Sequence, residues 1–119
     1  MRRLFLLIAT SVLLLAQTAT VPGTIADLVG DAAVHPVSAT TLIVRQADLT
    51  APTGNAAVCR IGDASISLAS RGQIVAAGGS YHYGSLPALV AAADIQKWDL
   101  SKIYYVCGSG DKLAVQYAQ

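Results

Sequence analysis

Apolar and polar positions alternate in short runs over most of the chain, and a turn cluster closes each run. Residues 41–47 read TLIVRQA, with Leu42 and Val44 on one face and Ile43 and Arg45 on the other. APTGN at 51–55 is a turn, residues 56–61 form the next extended run, and Gly62-Asp63 turns the chain again. SISLAS at 65–70 alternates strictly, which predicts a strand with one face buried and one wet. Arg71-Gly72 leads into Gln73-Ile74-Val75, AAGGS at 76–80 is a turn, and Tyr81-His82-Tyr83 resumes an extended run. Residues 102–106 and 112–117, joined by the turn GSGD, read as a closing hairpin with Leu113, Val115 and Tyr117 sharing a face. Only residues 85–98 depart from this style. There Ser85 can cap a short helix with Pro87 in its first turn, and Leu86, Leu89, Val90 and Ala93 would share a face. Short strands at regular spacing with Gly, Asp and Asn turns predict an all-β fold, a small antiparallel β-sandwich or a jelly-roll-like barrel.

The first twenty residues carry two readings. Arg2-Arg3 followed by thirteen residues of LFLLIATSVLLLA resembles the basic start and apolar run of a secretory signal peptide covering residues 1–19. The cleavage site is poor, because Gln17 stands two places before Ala19 and Leu14 two places before Ala16. A membrane span is not expected, since thirteen residues reach only about 20 Å of a roughly 30 Å hydrocarbon core. The other reading is an apolar arm or first strand, with Val12, Leu14 and Ala16 on one face. Val21-Pro22-Gly23 then acts as a breaker before a short apolar segment at 24–29. This divides the chain into a lead-in over 1–39 and a sandwich domain over 40–119.

Composition sharpens the picture. Apolar residues make up 54% of the chain and charged residues only 13%, against a usual charged share near 25%. Such a chain has ample apolar surface to offset its conformational entropy, so disorder is excluded. All seven acidic residues are aspartates, which favour turns over helices. With a net charge of +1 and no basic stretch beyond the first three residues, a nucleic-acid partner is not expected.

Candidate chemistry is sparse. His35 and His82 stand apart, with no H-x-H or C-x-x-C spacing, so no metal and no cofactor is expected. No serine sits in a G-x-S-x-G elbow, and Gly108-Ser109-Gly110-Asp111-Lys112 lacks phosphate-loop spacing, so an enzyme is not expected. Cys59 shares a face with Ile61, and Cys107 shares one with Ile103 and Tyr105; both faces read as inward. The pair is either a disulfide joining two strands or two reduced core thiols. Export favours the first and assembly in a bacterial cytoplasm the second. Tyr81, Tyr83, Trp98, Tyr104 and Tyr105 cluster in the second half, and alternation turns at least Tyr104 or Tyr105 away from the core. Exposed aromatics of this kind serve as interface anchors, as a sugar-stacking platform, or as rim packing.

Three segments together resemble small virion structural proteins of tailed bacteriophages, of the capsid decoration (cement) or head-fibre type. Residues 55–65, NAAVCRIGDAS, are similar to the pattern N-x-x-x-V-R-V-G-D-S of that family. Residues 71–80, RGQIVAAGGS, are similar to R-G-x-x-L-x-P-G-x-S, with Ala77 in place of the proline. Residues 99–117 resemble the closing segment D-L-S-x-I-Y-V-x-G-x-x-G-D-x-L-x-V-x-Y, with Tyr104-Tyr105 doubling its aromatic. The resemblance implies a β-sandwich subunit in the virion with no catalytic residues. Its partners would be the major capsid protein or other virion proteins, and copies of itself, as a trimer by analogy. Leu4, Phe5, Leu6, Leu7, Ile8, Tyr81, Tyr83, Trp98 and Tyr104 are then the expected interface residues. The other expectation is an exported, secreted or periplasmic, disulfide-closed β-domain that binds a ligand or surface through its tyrosines.

Overall fold

The computed structural model describes residues 22–84 and 97–119. Ten strands run through them: β1 (Pro22–Val29), β2 (His35–Pro36), β3 (Ile43–Val44), β4 (Gln46–Thr50), β5 (Cys59–Gly62), β6 (Gln73–Val75), β7 (Ser80–Tyr83), β8 (Trp98–Asp99), β9 (Tyr104–Val106) and β10 (Lys112–Ala118). One four-stranded sheet has the order β1-β10-β4-β7 and a second the order β2-β9-β5-β6, while β3 and β8 pair as a short ribbon. Every pairing is antiparallel. The fold is all-β, as the alternation predicts.

The core lies between the two sheets. Ala47, Leu49, Leu113 and Val115 descend from the first sheet onto Cys59, Ile61, Val75 and Tyr105 of the second, all buried. Leu100, Val37 and Val44 close its side. Cys59 and Cys107 form a disulfide across neighbouring strands, with their Cα atoms 4.4 Å apart. The register of β5 on β9 pairs Arg60 with Val106 and Ile61 with Tyr105, so the next pair outward sets the two cysteines opposite each other on the buried face. The choice left open by the sequence is thereby made in favour of the bridge.

Several elements differ from expectation. The division at residue 39 is not a seam, because β1 forms a full outer strand on β10 and β2 pairs with β9. The breaker Pro22-Gly23 opens this strand instead of preceding it. Proline is tolerated as the first residue of an outer strand. Gly23 leaves room for the Tyr117 ring, with which a β-carbon would overlap. The run 41–47 is split: Arg45 breaks β3 from β4 and the inward phase slips by one residue, from Val44 to Ala47. The expected strand at 65–70 is a loop holding one isolated bridge, Ser67 to Arg71. Ser67 and Ser70 join their hydroxyls at 2.9 Å and close it as a turn.

The closing hairpin is also corrected, since β9 and β10 lie in different sheets. Alternation correctly assigns the inward residues of each strand, but two strands facing one core from opposite sides alternate as a hairpin does. The turn at 108–111 therefore crosses the sandwich. It is fixed by Asp111 N–H to Gly108 O at 3.0 Å and by two bonds to the β1–β2 loop: Gly30 N–H to Asp111 O at 2.7 Å and Gly110 N–H to Gly30 O at 3.0 Å. The helix expected at 85–98 falls outside the described residues up to 96, and Trp98 opens β8.

Candidate interaction surfaces

The residues quoted for the family resemblance are occupied in holding loops. Asn55 donates from Nδ2 to Lys112 O at 2.8 Å, and its Oδ1 accepts from Lys112 N–H at 2.8 Å, tying the 51–58 loop to the start of β10. The Asp111 carboxylate is buried and accepts from Ala56 N–H at 2.8 Å and Ala57 N–H at 3.1 Å. Arg60 donates from Nε to Leu68 O at 3.1 Å and from a terminal nitrogen to Gly72 O at 3.2 Å, anchoring the 65–72 loop over β5. Asp63 accepts from the Ser65 N–H and hydroxyl. Asp99 accepts from the Ser101 N–H and hydroxyl and, at 3.3 Å, from Leu42 N–H. These bonds hold the Asp63 and Asp99 carboxyls below their ordinary 3.8, with the serine hydroxyl as the largest cause in each case. No acid–base or nucleophilic pairing arises from this set.

The histidines are each taken up by an aspartate. His35 meets Asp31 at 2.8 Å and His82 meets Asp48 at 2.6 Å, both at the surface. The second pair belongs to a polar row. The registers of β1, β10, β4 and β7 align Thr24, Gln116, Asp48 and His82 across the outer face of the first sheet. Small or uncharged neighbours flank the row, with Pro22, Ala118 and Gln46 on one side. A shallow groove of about 500 Å³ runs over this face. Beside it, β1 has β10 as its one neighbour among the described residues, so its far edge offers an eight-residue line of backbone groups.

The expected aromatic anchors separate into two places. Tyr81, Tyr83 and Trp98 are brought together. The two tyrosines lie edge-to-face at 5.0 Å and Tyr83 meets Trp98 edge-to-face at 4.9 Å, all three half-buried against the core. Burial raises the Tyr83 phenol above its ordinary 10.0, and the Tyr81 phenol adds to this. Tyr104 stands apart on the second sheet, half-buried and paired with Pro36, while Tyr105 faces inward. Leu4, Phe5, Leu6, Leu7 and Ile8 lie outside the described residues.

Tyr81 and Tyr83 also line a cleft of about 330 Å³ at the side of the sandwich where β7 and β6, the end strands of their sheets, come together. Asp63, Arg71 and Gln73 complete its polar wall. The sequence shows the tyrosines, but nothing in its spacing joins them to residues 63–73, which are separated from β7 by a turn and belong to the other sheet. Large apolar side chains exposed elsewhere are Val29, Ile43 and Ile74, at 56%, 43% and 48%. These lie on β1, β3 and β6.

No family model, curated protein or solved structure matches the chain.

Proposed function

We propose that this chain is a structural subunit of a tailed-phage particle, a capsid decoration subunit that strengthens the shell through contacts with neighbouring subunits. One observation carries the reading: the residues that resemble the virion family, Asn55, Arg60, Asp63, Asp99 and Asp111, are all spent on fixing loops of the sandwich. A motif set used in this way marks a scaffold, and a scaffold acts through its surface. The outer face of the first sheet, with its shallow groove, and the edge of β1 that has no further neighbour among the described residues supply such a surface. Contacts made there in the assembled shell stabilise it by mass action, since they are lost when the shell opens.

A second reading, an exported β-domain, is favoured by the Cys59–Cys107 disulfide. That bond also suits a particle surface, because a virion meets an oxidising environment once it leaves the cell. Mass spectrometry of gradient-purified particles from the source culture separates the two. The proposal expects peptides of this chain in stoichiometric amount, including peptides from residues 1–19. Finding the chain only as a free polypeptide in the culture fluid, cut after Ala16 or Ala19, overturns it in favour of export.

A further inference from the structure

We infer that the cleft between β7 and the 61–73 region is a saccharide-binding site that takes one hexopyranose unit. This inference does not rest on the virion reading. The cleft volume, about 330 Å³, stands at the lower end of the range for small-ligand sites, which suits one sugar ring. Its composition has the two features that a pyranose requires. The first is an aromatic wall: Tyr81 and Tyr83 sit at alternate positions of β7, so both rings point to the same side, and their edge-to-face contact at 5.0 Å fixes their orientation. A sugar ring presents a face of C–H groups that packs against such rings.

The second feature is a set of polar groups with capacity to spare. Both Ser65 bonds to Asp63 fall on Oδ1, so among the described residues Oδ2 has no hydrogen bond. Arg71 uses only its backbone in the 65–71 loop, and no described residue accepts a hydrogen bond from its guanidinium. Gln73 donates weakly to Ile74 O at 3.4 Å, and its carbonyl oxygen is free of described donors. Neither tyrosine hydroxyl is hydrogen-bonded among the described residues. The wall thus offers a carboxylate and an amide oxygen as acceptors, and a guanidinium fork, an amide NH2 and two phenols as donors. Hydroxyls arranged around a sugar ring need both kinds at once.

Other ligand classes fit less well. Arg71 is the one cation of the lining, too few for a nucleic acid or a polyphosphate. An apolar ligand would take the Asp63 carboxylate and the Arg71 guanidinium out of water without supplying either a hydrogen bond. Rigid backbone supports the site, since Arg60 pins the 65–72 loop at both Leu68 O and Gly72 O. A ligand therefore meets prearranged groups and orders little on binding.

The test titrates the full chain with methyl glycosides of glucose, galactose, mannose and N-acetylglucosamine. It follows the fluorescence of Trp98, the one tryptophan, which touches Tyr83, together with backbone amide shifts. The inference expects saturable changes with at least one glycoside, centred on residues 61–73 and 81–83. Arg71→Ala and Gln73→Ala change exposed side chains, leave the core intact, and should each weaken binding by about tenfold. Tyr81→Phe keeps the ring and should cost less than either. Lys102→Ala, an exposed side chain outside the cleft lining, should change nothing. Absence of a saturable response to all four glycosides overturns the inference. So does a response that survives Arg71→Ala or that maps to the outer face. A negative result here leaves the particle-subunit reading standing, and loss of that reading leaves this site untouched.

Discussion

Aspartate does different work at different positions of this chain, and burial decides which. Asp111 is sealed in the interior, where its two backbone donors, Ala56 and Ala57, take the place of water. Asp99 is half-buried and holds the ribbon of β3 and β8 by accepting from Leu42 and Ser101. Its carboxyl is held below the ordinary 3.8, first by the Ser101 hydroxyl and then by the Ser101 N–H. A carboxyl with a lowered native value favours the folded state above its unfolded pKa, and this contribution is lost as pH falls through the native value. Asp31 and Asp63 are lowered as well, so all three act in the same acid window. The urea midpoint should therefore decline as pH falls below about 4. Asp99→Asn keeps an acceptor at the same place but no longer titrates. It should flatten part of that decline by lowering the midpoint near neutral pH toward its acid value. A decline as steep as that of the parent chain would show that Asp99 does not contribute.

At the scale of elements, the 65–72 loop shows both what alternation reveals and where it fails. Its pattern, Ser-Ile-Ser-Leu-Ala-Ser, has the period of a strand, yet serine also closes turns with its hydroxyl, and here Ser67 and Ser70 do so. Ile66 is buried, folded back onto Gly62 and Gly72. Gly72 has φ +109, and a β-carbon there would stand 3.0 Å from both Ile61 O and the Ile66 side chain. Gly72→Ala therefore meets conformational strain and a close contact together. It should destabilise the fold by about 1–3 kcal/mol in chemical denaturation, with the loss of order greatest over 65–72. An unchanged midpoint would mean that the loop relaxes freely. Period two was enough to identify β5, β7, β9 and β10 and to set Cys59, Ile61, Tyr105 and Leu113 inward, because a half-buried strand must alternate. It could not tell which sheet a strand joins, since β9 and β10 face the same core from opposite sides. The cleft was hidden for a related reason. Tyr81 and Arg71 come together through packing of two sheets, which leaves no spacing signal in the chain.

For the molecule as a whole, the disulfide links stability to compartment. Cys59 and Cys107 are 48 residues apart, and closing a loop of that length removes enough unfolded-chain entropy to be worth about 4 kcal/mol. The sulfurs are completely buried, so solvent reductants reach them only when β5 or β9 opens. Reduced, the two thiols would still fill their places as small hydrophobes, and the sheets around them would keep their pairings. The reduced chain should therefore fold, but with a margin smaller by most of those 4 kcal/mol. A subunit made in a reducing cytoplasm would then be pliant during assembly and locked after release into an oxidising medium. Denaturant unfolding with and without a phosphine reductant measures the difference directly. Thiol labelling in denaturant without reductant should find no reactive cysteine in the mature protein, and two after reduction. If the mature protein yields two reactive thiols without reductant, the bridge is not formed, and the stability assigned to it must come from the core alone.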